Sequence, residues 1–463
     1  MNLESFFTEE VSEDILIEDP KQDKADKEAN EYWLSELAGN EWKNFAIYTI
    51  ENRAIPNMIS GLKPVQNFYL HASINMTKTK FDKVAAVGSS VAILGYHHGE
   101  GSAQGAGQLM AAEWNNVVPL IQGRGSFGTR LVQSASAPRY TFTKLHDNFY
   151  KYFKDLDIAP VHPDVEHIPP RFYVPIVPMV LANGIRGIAT GFAVSILPRN
   201  PAQLAEACRS YLKTGKIKQR PDVMFPHFSG KTWYVEEEGR FYWEGTFERN
   251  GKTGLTITEI PYDFDRETYV EILDKLEEND KIVSYEDKCG KEGFKFSVRL
   301  KNENQNWTDD DIVREFKLRK MMTENITVID YDGKLREYAD ELDLIKDFCD
   351  WRLEFLNIRI KKNQDEISED IRWMKVKKQF IESVLDDKIV FKGKGKVQVV
   401  EQIEKLIVTL PGDSERLLRI SIVSLVKELI IELDKQIAEA EKNLEYWNTT
   451  TTKDQFLLDL KGL

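Results

Sequence analysis

The residues best suited to chemistry are Arg139 and Tyr140. They follow a glycine-rich run, Ile121-Gln122-Gly123-Arg124-Gly125-Ser126-Phe127-Gly128-Thr129-Arg130, and a short polar segment ending Ser136-Ala137-Pro138. A phenol, with an ordinary pKa of about 10, is a poor nucleophile near neutral pH. A fixed cation beside it and a metal-polarised phosphate make it a useful one. Arg139 carries a permanent charge in a fork that matches phosphate oxygens, and Gly123, Gly125 and Gly128 leave room for a close backbone approach. The chemistry this set permits is attack of the Tyr140 oxygen on a phosphodiester, with the pair expected at the start of a helix. On spacing alone, an exposed tyrosine after a flexible loop fits as well.

Further segments narrow the choice. Arg53-Ala54-Ile55-Pro56 is followed by Gly61-Leu62-Lys63-Pro64-Val65-Gln66, then by Lys83 to Gly88 and Tyr96-His97-His98-Gly99-Glu100. Beyond Tyr140 come Asn183-Gly184, Gly187-Ile188-Ala189-Thr190-Gly191 and Ile257-Thr258-Glu259-Ile260-Pro261-Tyr262. This ordered set resembles the motifs of type IIA DNA topoisomerases. The likeness is greatest to the version with Gly-x-Phe-Gly-Thr-Arg ahead of Ser-Pro-Arg-Tyr, and to the separate cleavage subunit that bacteriophage members use. The resemblance runs from about Phe45 to Arg352.

The resemblance implies roles for individual residues. Tyr140 would be the nucleophile that becomes joined to a DNA 5′ end, and Arg139 would stabilise charge on the phosphate. Arg53 and Lys63 would contact phosphates, and His97 and His98 would contact phosphate or handle protons. Arg124, Ser126 and Thr129 would touch DNA from the glycine loop. Ile188 would wedge between base pairs, an unstacking that costs a few kcal/mol and is offset by the protein contacts a bend creates. Gln66-Asn67-Phe68 departs from relatives that carry one or two arginines there. The implied fold is α+β and multidomain, with a winged-helix DNA-binding domain, an α/β tower and a long antiparallel coiled coil ending in a helical C-gate. The implied partners are double-stranded DNA, a second copy of the chain through that gate, and a companion subunit. The companion would hold Mg²⁺ in a toprim domain and hydrolyse ATP.

Composition sets outer limits. With 463 residues, several domains are expected. A hydrophobic share of 42% and a charged share of 30% suit an ordinary globular chain. No run suits a membrane span and no secretory signal is visible. Three separated cysteines suit neither a metal knuckle nor a disulfide framework, so a reducing compartment, the cytoplasm of a bacterial host for a phage-borne chain, is expected. The net charge of −13 argues against nonspecific DNA coating but permits a local basic groove, for which Arg124, Arg130, Arg139 and Lys144 are candidates.

Along the chain, residues 1–44 read as an acidic arm, either solvated or packed on a partner, and 45–200 as the domain carrying Tyr140. Residues 201–340 read as an α+β module, with strands at Trp233–Val235, Arg240–Trp243 and Lys295–Leu300, a hairpin turn at Asn250-Gly251 and a helix over Glu267–Glu278. Gly251-Lys252-Thr253 is not a phosphate loop, because Thr246 stands where a glycine is required. Asp330-Tyr331-Asp332-Gly333 suggests part of an acidic metal motif but fits a hairpin turn better. Residues 341–463 read as two long helices, the second from Ser414 through Leu418, Ile422, Leu425 and Leu429, around a smaller region with a basic turn at Lys392–Lys396. A tyrosine recombinase is disfavoured, since none of the seven histidines precedes an arginine in His-x-x-Arg spacing. A non-catalytic architectural DNA binder is the remaining alternative.

Overall fold

The computed structural model describes Gly39, residues 41–421 and residues 427–463 of a mixed α/β chain. Most of the expected acidic arm, and Ile422 and Leu425 of the second long helix, lie outside the described residues.

The largest hydrophobic core gathers three N-terminal helices, α2 (Pro64–Met76), α3 (Val84–Ser90) and α4 (Glu100–Ala111), while the preceding α1 (Trp42–Thr49) leaves Trp42, Phe45, Ile47 and Tyr48 exposed. Helix α2 starts where proline chemistry dictates. Pro64 occupies the first turn, where its missing N–H costs nothing, and the Gln66 side chain accepts the Lys63 amide at 2.9 Å. Its buried face includes Phe68, Tyr69 and Leu70. Gly107 of α4 lies against the Tyr69 ring so closely that a β-carbon there would overlap it. Gly107→Ala is therefore expected to lower stability by about 1–3 kcal/mol through overpacking, read as a shift in the denaturant midpoint at unchanged m-value.

Beside these helices is an antiparallel three-stranded sheet of β1 (Asp82–Lys83), β3 (Phe142–Leu145) and β2 (Ile121–Arg124), in that spatial order. Here the expected helix at Arg139-Tyr140 is not found. Pro138–Tyr140 form a turn that runs straight into β3. Thr141, Thr143 and Leu145 are buried while Phe142 and Lys144 are half-buried, a period of two in a β-branched and aromatic run. A hairpin of β4 (Ile185–Ile188) and β5 (Ala193–Ile196) completes this region.

The middle of the chain forms its own core. Four antiparallel strands lie in the order Thr246–Asn250, Gly254–Glu259, Phe296–Leu300, Ile282–Asp287. Helix Arg266–Glu278 packs Tyr269, Ile272, Leu273 and Leu276 against them. Asn250-Gly251 is the expected turn, with Gly251 at φ +75°, so Gly251-Lys252-Thr253 belongs to a hairpin. Asp330 likewise caps a hairpin turn, its carboxylate accepting the Asp332 amide at 2.9 Å and the Lys334 amide at 2.8 Å. Helix Pro201–Thr214 and the hairpin around Asp330 return to the first core.

A 45-residue helix, Glu341–Leu385, leaves that core. Asp340 caps it by accepting the Leu342 amide at 2.6 Å, and no glycine or proline interrupts it. At 1.5 Å per residue it spans about 68 Å. Helix Lys427–Thr449 returns alongside, antiparallel: Gln364 donates to the Trp447 carbonyl at 2.9 Å, Lys375 meets Glu441 at 2.7 Å and Lys378 meets Asp434 at 2.6 Å. The distal tip has its own core, including Phe380, Ile381, Ile403 and Leu417. The second long helix does not run unbroken from Ser414. Asp413–Leu417 is a separate short helix, closed by a turn in which the Ile420 amide donates to the Leu417 carbonyl. Among the described residues, no helix is long and apolar enough to cross a membrane.

Candidate DNA-cleavage site

Tyr140 stands 66% exposed at the end of its turn, with the Arg139 guanidinium 4.9 Å from its ring centre. The turn is pinned from three directions. The Ala85 amide donates to the Pro138 carbonyl at 3.2 Å and the Val84 amide to the Thr141 carbonyl at 3.0 Å, so the start of α3 holds both sides of the pair. From α4, the Gln108 amide donates to the Ser136 carbonyl at 2.6 Å. Under β3, the Tyr69 and Thr143 hydroxyls bond at 2.8 Å. Gly125, at φ +116°, brings the preceding loop alongside Tyr140 and Thr141. The result is a free phenol on a rigid mount beside a permanent cation.

The loop residues divide by environment. Arg124 is exposed and lies between the rings of Phe81 and Phe142, at 4.8 and 5.0 Å, with Lys144 also near Phe81. Ser126 is exposed. The Thr129 hydroxyl oxygen accepts the Leu131 and Val132 amides at 3.2 and 3.3 Å, so it shapes the loop tip while its own proton stays available. Arg130, expected in the basic groove, is buried instead and pairs with Glu259. Aromatic rings close around it, which its charge alone did not foretell.

A second group gathers around α1 and α2. Arg53 is exposed at the end of a π-helical turn, Ile50–Ala54, that continues α1. Burial pushes the neighbouring Tyr96 hydroxyl upward in pKa, and the Arg53 charge offsets part of that. Lys63 turns inward and donates to the Arg186 carbonyl at 2.7 Å; burial lowers its pKa. It thus braces the β4–β5 hairpin in addition to any phosphate it meets. His98 shares a hydrogen bond with the Tyr48 hydroxyl at 3.1 Å, whereas His97 points toward Glu166 at 3.5 Å. Ile188 is 89% exposed at the end of β4. Behind it Gly187 presses on the Ala54 carbonyl, and Thr190 reaches Thr49 at 3.4 Å.

The structure therefore brings Arg139, Tyr140 and Arg124 together, and separately Arg53, Lys63, His98 and the Ile188 hairpin. Among the described residues, no hydrogen bond or ion pair joins Tyr140 or Arg139 to the second group. Sequence reasoning passed over Gln108 and Tyr48, polar residues on helices with no motif to mark them. It also passed over the partnership of Arg130 with Glu259, although both lie inside quoted motifs.

An exposed Arg–Tyr turn on a mixed α/β body with a long two-helix extension is the architecture of a type II DNA topoisomerase cleavage core. Among solved structures it is similar to the Plasmodium falciparum topoisomerase II DNA-binding, cleavage and re-ligation domain, with a TM-score of 0.79 at 26% identity over 89% of this chain and 61% of that one. Residues 53–461 match the family of the A-type subunit of DNA gyrase and topoisomerase IV, and the chain belongs to this family of DNA-cleaving and rejoining subunits of type II DNA topoisomerases. It is 41% identical to the DNA topoisomerase medium subunit of Enterobacteria phage T4, over 93% of this chain and 98% of that protein. It is also 28% identical to the mitochondrial DNA topoisomerase 2 of Dictyostelium discoideum, over 89% of this chain but only 33% of that longer protein.

Proposed function

We propose that Tyr140 is the nucleophile in this chain and that two copies cut the two strands of one duplex. The observation that carries this reading is the exposed Tyr140–Arg139 turn, braced on three sides and open on the fourth. The Tyr140 oxygen forms a bond to phosphorus as the bond to the 3′ oxygen breaks. The phenol proton leaves to solvent, and the 3′ oxygen takes up a proton as a free hydroxyl. The 5′ end stays on the protein, and the reverse step restores the duplex without ATP, because the phosphotyrosyl link conserves the bond's free energy. Arg139 offsets the charge that builds on the phosphate. Another duplex crosses the gap, so relaxation and decatenation follow.

The same reading assigns the body around β1–β3 and α1–α4 as a winged-helix domain within 45–200, the middle module as a tower within 201–340, and 341–463 as a coiled coil with a C-gate. What supports the gate is an apolar distal tip, where Val408 is 90% exposed and Val397, Leu406 and Leu410 are also exposed. A second copy would cover them, giving a homodimer.

Among the described residues, no group of three or more His, Cys, Asp or Glu side chains is arranged to hold a metal ion. We place Mg²⁺ and ATP on the companion ATPase/toprim subunit. Chelating Mg²⁺ in the assembled complex is expected to bring adduct yield to background while DNA affinity changes by less than about threefold, as gel shift and denaturing gel would record.

The test of the reading is denaturant trapping of end-labelled duplex with Mg²⁺ and the companion subunit, then protease digestion and sequencing of the DNA-linked peptide. The expected peptide carries Tyr140 on a 5′ end. No adduct, or one on another residue, would leave the chain as a non-catalytic architectural DNA binder.

A further inference from the structure

The loop that presents Tyr140 is fastened to the middle module at its tip. Arg130 is 6% exposed there, with its Nη2 3.4 Å from the Glu259 carboxylate and 3.3 Å from the Ile260 carbonyl. Rings of Phe228, Tyr262 and Phe294 surround the guanidinium at 5.6, 4.8 and 5.2 Å. Next along the loop, Leu131 packs on the middle module's core and its carbonyl accepts the Arg266 amide at 3.1 Å. The Tyr262 hydroxyl donates to the Trp114 carbonyl at 2.5 Å, and the Trp114 indole donates to the Phe127 carbonyl at 3.0 Å, so a second strap joins the same two parts.

The pairing is incomplete in a way that matters. Arg130 Nε and Nη1 are buried with no partner among the described residues. Glu259, also buried, gives its acceptors chiefly to the Ser229 amide and hydroxyl, at 3.0 and 2.9 Å, and to the Ile260 amide at 3.0 Å. A buried guanidinium held this loosely is a poor device for stability alone, since an apolar side chain of similar volume would serve at least as well. It does suit a contact with two settings, in which a small advance of the module lets the fork engage the carboxylate fully.

The segment Glu259–Asp263 also reaches the other functional element. Asp263 pairs with Arg186 at 2.9 Å, and Arg186 lies on β4, two residues before Ile188. One short segment therefore touches both the hairpin that carries Ile188 and the loop that carries Tyr140.

We infer that Arg130 is a positioning residue: its clasp on Glu259 couples displacement of the Ile188 hairpin, transmitted through Arg186 and Asp263, to the aim of the Tyr140 turn. DNA bending at Ile188 would thereby license cleavage at Tyr140. The inference rests on the role proposed for Tyr140 and on the wedge role that the family resemblance implies for Ile188.

The test uses the full chain assembled with its companion. Arg130→Met, Arg130→Lys and Glu259→Gln are compared with the unaltered chain for DNA affinity, for bend angle by end-to-end fluorescence transfer, and for single-turnover adduct formation. The expected result is affinity and bend within about threefold of normal, with Arg130→Met forming adduct about thirtyfold more slowly, since small misplacements of a nucleophile carry penalties of that order. Arg130→Lys should regain part of the rate, and the Arg130→Met/Glu259→Gln double variant should be no slower than the slower single one. If Arg130→Met does not fold, the nearly isosteric Glu259→Gln carries the test with the same expected split. A normal adduct rate in the variants, or a rate that falls only in step with affinity and bend, would overturn the coupling. If the adduct of the unaltered complex maps to Tyr140 and the variants cut normally, the coupling alone fails. If it maps elsewhere, the nucleophile assignment fails with it.

Discussion

Tyr140→Phe, assembled with Mg²⁺ and the companion subunit, is expected to bind and bend duplex DNA normally and to form no covalent adduct, a loss of about 10⁴-fold or more in cleavage rate. The substitution removes only the attacking oxygen. Tyr140 is two-thirds exposed, so the change is expected to alter stability by less than about 0.5 kcal/mol. The ring that lies 4.9 Å from the Arg139 guanidinium remains, and the braces from the Val84 and Ala85 amides and the Gln108 side chain land on backbone carbonyls that phenylalanine leaves untouched. A binding assay and a trapping assay on one preparation therefore separate the two readings of the chain. An architectural binder keeps every activity without the hydroxyl, and a cleavage subunit keeps the first assay and loses the second. Residual adduct above about 1% of normal would show that another nucleophile serves.

Much of the fold was legible because its elements announce themselves locally. The Asn250-Gly251 hairpin turn, the helix over Glu267–Glu278 and the first long helix of the C-terminal part each depend on neighbours in sequence, and each is found. The errors fall where distant residues decide. Pro138-Arg139-Tyr140 has the look of a helix start, but pairing of β3 with β1 and β2 draws the following residues into a sheet. Arg130 looks like one more surface cation until Glu259 and three aromatic rings, far along the chain, close over it. Lys63 has a partner that its neighbours in sequence do not reveal, the Arg186 carbonyl. Motif residues were legible as a set, yet their grouping was not. Tyr140 packs beside Arg139, whereas His98 bonds to Tyr48 and Lys63 to Arg186, partnerships that only three-dimensional packing makes.

Ile188→Ala is expected to fold as well as the unaltered chain and to lose most of its DNA bend, with adduct formation falling about a hundredfold. An 89% exposed side chain contributes little to the core, so the stability change should stay within about 0.5 kcal/mol. On DNA the same side chain has much to do. Opening a base step costs a few kcal/mol, and losing about 2.7 kcal/mol of wedge contact corresponds to that hundredfold. The hairpin behind Ile188 is braced from several sides. Lys63 holds the Arg186 carbonyl, Asp263 holds the Arg186 guanidinium at 2.9 Å, and Gly187 lies flush on the Ala54 carbonyl, so two side-chain braces and one backbone contact support the tip. Two controls sharpen the result. Ile188→Met, long and apolar, should retain most of the bend. A duplex mispaired at the wedge step should restore much of the lost cleavage to Ile188→Ala, because unstacking is already partly done. Full bending by Ile188→Ala would mean that the duplex is bent by its backbone contacts alone, and would move the origin of the bend to Arg53, Arg124 and Lys144.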